Sequence, residues 1–332
     1  MITIALDAMS GDNGLSVAVP ASLLAIEKHP ELKIIMVGNL EALNKAMPNP
    51  PDRIVLHHAS QVVAMDELPS QALRGKKDSS MRVAVNLVKD GTADAVVSPG
   101  NTGALMAISR FVLKTMDGID RPVLCTALPS VTGPVWMLDL GANVDSSSEH
   151  LRQFAIMGNA LVKVLTGSHP SIGLLNIGEE EIKGNESIKG ASKLLRESSL
   201  DYRGFVEGND IYQGKVQLVV CDGFIGNIAL KTSEGMAKMV RHYLTHEFKK
   251  SWLRKIAGII SLPALKSFKS HLDPRVYNGA TLLGLKGISV KSHGGTDAFG
   301  LSSAISVGYK EVSHDLLAQV QTEINISNQN KN

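Results

Sequence analysis

Short aliphatic runs alternate with segments of helical period along almost the whole chain. The strand-like runs are ITIALDA, KIIMVG, RIVLHHA, DAVVSPG, PVLCTALP, VWMLDLG, SIGLLNIG, YRGFVEG, VQLVVCDG and GISVKSHG. Amphipathic segments such as 81–89, 103–114, 149–165 and 186–197 lie between them. This alternation is typical of βα units, which build a mostly parallel sheet with helices on both faces. We therefore predict a three-layer α/β/α fold.

The composition suits a large buried sheet. Of the 332 residues, 44% are hydrophobic but only 4% are aromatic, so aliphatic side chains must fill the core, as in buried parallel strands. We expect a single α/β unit over residues 1–326 and a disordered polar tail at 327–332.

Charge and cysteine content restrict the partners and the compartment. The net charge of +2 does not suit a chain that binds nucleic acid as a whole. Cys125 and Cys221 lie in strand-like runs and give neither a disulfide framework nor the spacing of a zinc site. Asp7 interrupts the first apolar stretch too early for a signal peptide. We expect a cytoplasmic protein that binds no metal.

Six of the predicted strands end in a polar loop that contains glycine. The loops are DAMSGD, SPGNTG, DLGANVD, NIGEEEIKGNE, DGFIGN and SHGGTDAFG. Ligands of open parallel sheets bind beyond the carboxyl ends of the strands. We expect the six loops to meet at one edge of the sheet, in a single crevice whose backbone N–H groups suit an anion.

The loop SPGNTG has the features of a phosphate-binding helix start. Asn101 or Thr102 can cap a helix that begins near Gly103, and the free N–H groups of a helix N-terminus bind phosphate. An ordinary capped turn explains the loop equally well when it is taken alone. The loop matches neither the Walker sequence nor the fingerprint GxGxxG, so it gives no support for ATP or NAD as a cofactor.

A basic segment precedes a second predicted helix start. Arg74, Lys76 and Lys77 come just before Ser79 and Ser80, which are candidate caps of a helix that begins near residue 81. Cations beside a helix start suit phosphate or an acidic partner. A solvated basic loop is the alternative.

Three other loops each offer a single candidate reactive side chain. Lys183 follows three carboxylates and either lies in a flexible acidic loop or stabilises a phosphoryl or thioester oxygen. Asn227 falls near a helix start, where it can cap the helix or stabilise an oxyanion. His293 can be a base or a turn residue. The chain has no GxSxG motif and no histidine close to either cysteine in sequence, which fits direct attack by a bound anion.

Residues 236–272 form a basic amphipathic stretch. Apolar residues recur every four positions over 240–260, and Pro263 lies in an uncharged tip, GIISLPA. Residues 243–270 contain six Lys or Arg against one acid. This combination predicts a helical hairpin on an anionic membrane surface, with a core-facing helix pair or an acidic protein partner as alternatives. The expected membrane contacts are Trp252, Ile256, Ile259, Ile260 and Leu262.

Taken together, the loops resemble those of the bacterial phosphate acyltransferases of phospholipid synthesis. The matching strings include DAMSGD, ALRGKKDSSM, SPGNTGAL, MLDLGANVD, GLLNIGEEEIKGNE and VCDGFIGN, and they extend to about residue 305. The resemblance implies transfer of a long-chain acyl group from acyl carrier protein to inorganic phosphate, for a downstream glycerol-3-phosphate acyltransferase. It also implies an isocitrate dehydrogenase/phosphotransacetylase-like fold, a homodimer, and peripheral association with the cytoplasmic membrane.

The same resemblance assigns roles to individual residues. Lys183 and Asn227 match the expected catalytic pair, in which the lysine stabilises charge and the amide orients the carbonyl. The phosphate-binding residues would be Asn101, Thr102 and Gly103, with Ser79 and Ser80 near them. The carrier protein would be the acidic partner of Arg74, Lys76 and Lys77.

Three positions depart from the family pattern. Ser10 and Leu15 stand where a glycine and a proline are expected, and Pro99 replaces a small residue before GNTG. The run around His293 is looser than usual, so its role stays open. A short-chain acyl-CoA:phosphate transferase and a non-catalytic membrane scaffold are the alternative functions.

Overall fold

Eleven strands form one sheet across the residues that the computed structural model describes, which are 1–265, 273 and 275–329. The strands are β1 (Ile2–Asp7), β2 (Leu32–Gly38), β3 (Ile54–His58), β4 (Ala95–Ser98), β5 (Val123–Ser130), β6 (Gly133–Leu138), β7 (Ile172–Leu175), β8 (Tyr202–Val206), β9 (Leu218–Val220), β10 (Ala280–Leu283) and β11 (Ile288–Lys291). Their order across the sheet is β3-β2-β1-β4-β11-β10-β5-β6-β9-β7-β8.

Helices cover both faces of this sheet. They are α1 (Leu15–Lys28), α2 (Leu40–Ala46), α3 (Pro69–Gly75), α4 (Ser80–Lys89), α5 (Thr102–Leu113), α6 (Ser148–Thr166), α7 (Glu186–Arg196), α8 (Gly208–Gln213), α9 (Gly223–Lys249), α10 (Trp252–Ile260), α11 (Ala298–Ser313) and α12 (Leu316–Gln329). The predicted α/β/α layers and mostly parallel sheet are confirmed.

The central strands are buried on both faces, which is why they appear in the sequence as continuous aliphatic runs. In β1, Ile4 and Leu6 pack into the layer with α1, α6, α11 and α12, while Ala5 packs into the layer with α3, α4 and α5. Successive side chains of a strand point to opposite faces, so every position in such a strand must be apolar.

The direction of the strands reverses in the middle of the sheet. β10 is antiparallel to both β11 and β5, and β5 is antiparallel to β6. The remaining seven neighbour pairs are parallel. As a result, β6, β7, β8 and β9 run opposite to β1, β2, β3, β4 and β11.

The structure adds one strand and shortens the predicted tail. Ten strands lie in the predicted aliphatic runs, whereas β10 was missed because its four residues lie between Gly279 and Gly284. Residues 327–329 end α12 and are helical, so the tail does not begin at 327. Residues 330–332 lie outside the described part of the chain.

The hairpin differs from the prediction in where it turns. The predicted apolar face continues through Trp252 to Ile260, but α9 ends at Lys249 and Ser251 caps α10 by accepting from the N–H of Arg254 at 3.3 Å. Helix α10 then folds back onto α9, so that Gly258 lies against the ring of Phe248. The predicted second arm, 266–272, lies outside the described residues.

A buried carboxyl group lies beneath the added strand. Glu311 of α11 is fully buried and accepts a hydrogen bond from the Thr281 hydroxyl of β10. Its second oxygen, Oε2, has no hydrogen-bond partner among the described residues. Burial raises the pKa of Glu311 to about 8, and the Thr281 hydrogen bond opposes that rise.

Replacement of Glu311 by Gln should remove a pH-dependent part of the stability. Because the pKa rises from its usual 4.5 to about 8 on folding, this stability is complete below pH 4.5 and is lost as the pH rises toward 8. The neutral amide does not titrate. As the pH rises from 4.5 toward 8, the free energy of unfolding of Glu311→Gln should therefore increase relative to that of the unmutated protein by up to about 1.4 kcal/mol per pH unit. Urea unfolding at several pH values measures this gain.

Glu31→Gln, at an exposed position, is the matched control and should show no such trend. A stability difference between Glu311→Gln and the unmutated protein that stays constant with pH would contradict the assignment.

Candidate active site

The loops that follow β1 and β4 meet around the carboxylate of Asp7. Asp7 is fully buried at the end of β1 and accepts hydrogen bonds from the Ser80 hydroxyl at 2.6 Å and the Ser98 hydroxyl at 2.7 Å. The Ser98 oxygen in turn accepts from the N–H of Gly100 at 3.1 Å. One carboxylate thus fixes the start of α4 and the loop before α5.

The loop after β11 joins the same group. The N–H of Asp12 donates to the carbonyl of Gly294 at 3.0 Å, and the Lys291 ammonium lies 3.5 Å from the carbonyl of Pro99. Gly11 has φ +81°, and a Cβ there would lie 3.0 Å from the Gly294 oxygen and 3.1 Å from the Pro99 Cβ. Only glycine allows the three loops to approach this closely.

Lys291 is a buried cation that was not among the predicted site residues. Its side chain is almost fully buried, and burial lowers its pKa to about 8, while Asp7 and Asp12 oppose the shift. The available signal was a lysine at the end of the aliphatic run ISVK, where a buried strand would otherwise stay apolar.

The helix start at SPGNTG is capped as predicted. The Asn101 Oδ1 accepts from the N–H of Ala104 at 3.0 Å, and its Nδ2 donates to the carbonyls of Met65 and Glu67. Both polar atoms of the Asn101 side chain are therefore hydrogen-bonded within the protein. The N–H groups of Thr102 and Gly103 have no acceptor in the described part of the chain.

The predicted serines have partners inside the protein. Ser79 caps α4 by accepting from the N–H of Arg82, and its hydroxyl donates to the carbonyl of Lys76 at 2.8 Å. Ser80 donates to Asp7, and both serines are fully buried. Of the cations before them, Arg74 and Lys77 are exposed and Lys76 is half-buried.

A second group of loops follows β6, β7 and β9 and has its own buried carboxylate. Asp139 accepts hydrogen bonds from the backbone of Leu124, Ala142 and Asn143, and from the Asn143 amide. Burial raises the pKa of Asp139, and these hydrogen bonds oppose the rise. Asp139 thereby orders the loop DLGANVD.

Helix α9 begins directly on that loop. Asp222 caps it by accepting from the N–H of Ile225 at 2.9 Å, and the N–H of Gly223 donates to the Asn143 carbonyl. A Cβ at Gly226 would collide with the carbonyl oxygen of Asp139. Glycine is therefore required where α9 packs on the loop.

Asn227 lies one turn inside α9 and does not cap it, so that alternative is wrong. Its side chain is exposed and lies against Gly141, where an added Cβ would be 3.4 Å from the Asn227 Cβ. No hydrogen bond joins its amide to a described residue, so the amide is available to a ligand.

Hydrogen bonds from one side chain hold both ends of the loop that carries Lys183. The buried Asn176 amide donates to the carbonyl of Gly178 at 3.1 Å and to that of Lys183 at 3.2 Å. The Lys183 ammonium lies 2.7 Å from the Glu180 carboxylate. This hydrogen bond raises the pKa of Lys183 and lowers that of Glu180.

The acidic loop is ordered by ion pairs at each of its three carboxylates. Glu179 pairs with Lys215 at 2.6 Å, and Glu181 pairs with Arg196 at 2.6 Å. The two outer pairs attach the loop to its surroundings, while the Glu180–Lys183 pair is internal to the loop. Lys183 therefore has a defined position, with its side chain 41% exposed.

The six loops form two groups on strands that run in opposite directions, so the expectation that all six follow the carboxyl ends of parallel strands at one sheet edge is wrong. The strands that end at Asp139 and Lys183 run opposite to those that end at Asp7 and Lys291, because the sheet reverses at β10, β5 and β6. Lys183 and Asn227 follow the neighbouring strands β7 and β9, but no direct contact joins them among the described residues.

Helix α9 connects the two groups. It starts at the Asp139 loop, and its Lys231, Glu234 and Lys238 lie close enough to His293 to affect that ring. Burial is the main cause of the lowered pKa of His293; the nearby lysines lower it further and Glu234 opposes them. Its Nδ1 accepts from the N–H of Gly295 at 3.1 Å, as in a turn.

Comparisons with known proteins identify the family. A family model described as "Fatty acid synthesis protein" matches residues 2–319. A protein of Methylococcus capsulatus named Phosphate acyltransferase is 56% identical over 317 residues, 94% of each chain. The chain belongs to the phosphate acyltransferase family. A second phosphate acyltransferase, from Nitrosococcus oceani, is 54% identical over 97% of this chain and 96% of its own.

Solved structures confirm the fold predicted for a phosphate acyltransferase. A phosphotransacetylase from Streptococcus pyogenes superposes with a TM-score of 0.61 at 18% identity, over 94% of each chain. A branched-chain phosphotransacylase from Enterococcus faecalis gives a TM-score of 0.57 at 14% identity, over 94% of this chain and 100% of that one. At these identities the similarity shows the fold alone.

Glu180→Gln should lower the pKa of Lys183, because it removes the carboxylate that stabilises the ammonium. The titration can be followed by NMR after reductive methylation of the lysines with ¹³C, with Lys183→Arg to assign the resonance. Glu181→Gln is the matched control, since it breaks only the neighbouring pair with Arg196. Equal Lys183 titrations in the two Gln variants would refute the pairing.

Proposed function

We propose that this chain transfers a long-chain acyl group from acyl carrier protein to inorganic phosphate and thereby supplies acyl phosphate for phospholipid synthesis. The observation that carries the proposal is that an uncommitted Asn227 amide and an ordered, exposed Lys183 follow the neighbouring strands β9 and β7, in a chain 56% identical to a phosphate acyltransferase. A cytoplasmic location with peripheral membrane association accompanies this function.

The chemistry needs no side-chain nucleophile. A phosphate oxygen attacks the thioester carbon, the carbonyl oxygen becomes negative, and the carbon–sulfur bond then breaks to release the carrier thiolate, which takes a proton. The Asn227 amide would donate to the carbonyl oxygen, and the Lys183 ammonium would stabilise charge on the phosphate or the thioester.

Phosphate would contact backbone N–H groups in the SPGNTG loop. The N–H groups of Thr102 and Gly103 at the start of α5 are unoccupied, which suits an anion. Because the hydroxyls of Ser79 and Ser80 have internal partners, we assign these serines to the support of the helix start. Asn101 has the same supporting role.

The hairpin supports peripheral membrane contact. In α10 no residue is buried, which argues against the core-facing alternative for this helix. The proposed contacts are all exposed: Trp252 68%, Ile256 46%, Ile259 64%, Ile260 75% and Leu262 45%. No helix in the described part of the chain is long and apolar enough to cross a membrane. A homodimer would present two hairpins and bind more tightly through avidity.

The transfer reaction can be tested with palmitoyl-carrier protein, with and without phosphate, and hydroxylamine to trap acyl phosphate as hydroxamate. Lys183→Ala should abolish the phosphate-dependent product, and Asn227→Ala should lower kcat by about 100-fold or more, as expected for loss of an oxyanion donor. Lys189→Ala, at the neighbouring α7, is the control and should keep full activity.

Other outcomes of that assay favour the alternatives. Product from short acyl-CoA but not from the carrier thioester would favour a phosphate acetyl- or butyryltransferase. Failure of both substrates, with membrane binding retained, would favour a scaffold and reject the enzyme.

Membrane contact can be tested by sedimentation with anionic phospholipid vesicles. Ile259→Asp/Ile260→Asp should reduce binding strongly, since it places charge on the exposed apolar surface. Binding of the unmutated protein should weaken with salt, because the basic residues contribute up to about 1 kcal/mol each. Val131→Asp, at an exposed valine in the β5–β6 turn, should bind normally. Equal binding by both variants would contradict the proposal.

A further inference from the structure

Helices α3, α4 and α5 lie together on one face of the sheet and carry an excess of positive charge. Residues 69–114 contain seven Lys or Arg and three Asp. The seven cations are Arg74, Lys76, Lys77, Arg82, Lys89, Arg110 and Lys114. None of them forms an ion pair with a residue in the described part of the chain.

Two of the three acids of this region hydrogen-bond to groups outside it, so they do not pair with the cations. Asp78 accepts from the N–H and hydroxyl of Ser60 at 2.9 and 2.5 Å, and Asp94 accepts from the N–H of Thr3 at 2.7 Å. Elsewhere the chain does pair its charges, as in the loop of Lys183. The cations of α3, α4 and α5 therefore have no carboxylate partner among the residues that the structure describes.

An exposed aromatic ring lies among these cations. Phe111 is 53% exposed, with the Arg82 guanidinium 5.2 Å and the Lys114 ammonium 4.7 Å from its ring centroid. Aromatic residues and arginine are enriched in protein–protein interfaces relative to the rest of the surface. Phe111 is the one large hydrophobic side chain of residues 69–114 that is exposed, whereas a membrane-binding surface needs several.

The basic face extends to the proposed phosphate contacts. Pro69 of α3 packs against Gly103, where a Cβ would lie 2.8 Å from the proline Cγ. A partner bound across α3 and α5 would therefore lie next to the loop whose free N–H groups belong to Thr102 and Gly103. This is where a thioester on a carrier must be delivered.

We propose that α3, α4 and α5 form the docking surface for the acyl carrier protein, with Phe111 at its centre and acidic side chains of the carrier on the surrounding cations. The surface includes Arg74, Lys76 and Lys77 and extends to Arg110 and Lys114. The inference rests on the proposed function, because that function supplies the carrier as partner. Complementary charge of this kind mainly speeds association and specifies the partner.

The test compares KM values of Arg110→Glu/Lys114→Glu with those of the unmutated protein in the hydroxamate assay. The double variant should raise KM for palmitoyl-carrier protein about tenfold or more, with its effect shrinking at high salt. KM for phosphate and kcat at saturating carrier should stay within about twofold, which also shows that the variant is folded. Lys45→Glu, an exposed cation of α2 on the other sheet face, is the matched control.

Equal KM values for the carrier in the double variant and in Lys45→Glu would overturn the inference. Loss of binding to anionic vesicles with an unchanged carrier KM would also overturn it and assign the face to the membrane. If the unmutated protein forms no acyl phosphate, the proposed function fails. The docking surface is then judged by direct binding of carrier protein, which the double variant should weaken and Lys45→Glu should not.

Discussion

The reversal of strand direction at β10, β5 and β6 determines how every functional loop is placed. On one side of it, strands end at Asp7, Ser98 and Lys291; on the other, strands of opposite direction end at Leu138, Leu175 and Val220. Each group is organised around one buried carboxylate, Asp7 or Asp139, that accepts several hydrogen bonds. The functional loops are therefore ordered by two buried carboxylates, one in each group.

Ten strands and the layer arrangement could be predicted from short aliphatic runs, which are clearest in the central strands that are buried on both faces. Strand β10 could not, since four residues between glycines have the appearance of a turn. Apolarity does not distinguish parallel from antiparallel strands, so the reversal is visible in the sequence only where a connection is too short for a parallel crossover, as between β5 and β6. Direction is set by pairing between strands distant in sequence, such as Thr281 with Cys125.

Features of the candidate site could be predicted where they depend on residues nearby in the sequence, but not where they depend on contacts between distant segments. The caps at Asn101 and Ser79 were predictable, as a cap depends on neighbours three residues away. The cap alternative for Asn227 was wrong because Asp222, five residues earlier, caps the helix. The partners of Ser80 and Lys183 come from the fold, and Lys291 became notable only when its burial was known. That the cations of α3, α4 and α5 have no carboxylate partner in the described part of the chain likewise required knowledge of where the acids lie.

Helix α9 is continuous from the Asp139 loop to the hairpin, with Asn227 near one end and Lys249 at the other. Each residue of an α-helix adds about 1.5 Å and a rotation of roughly 100°. A single inserted residue between Asn227 and the hairpin would therefore turn the apolar surface of α10 about a quarter of the way around the helix axis. The length of α9 is therefore constrained by the angle between its two ends.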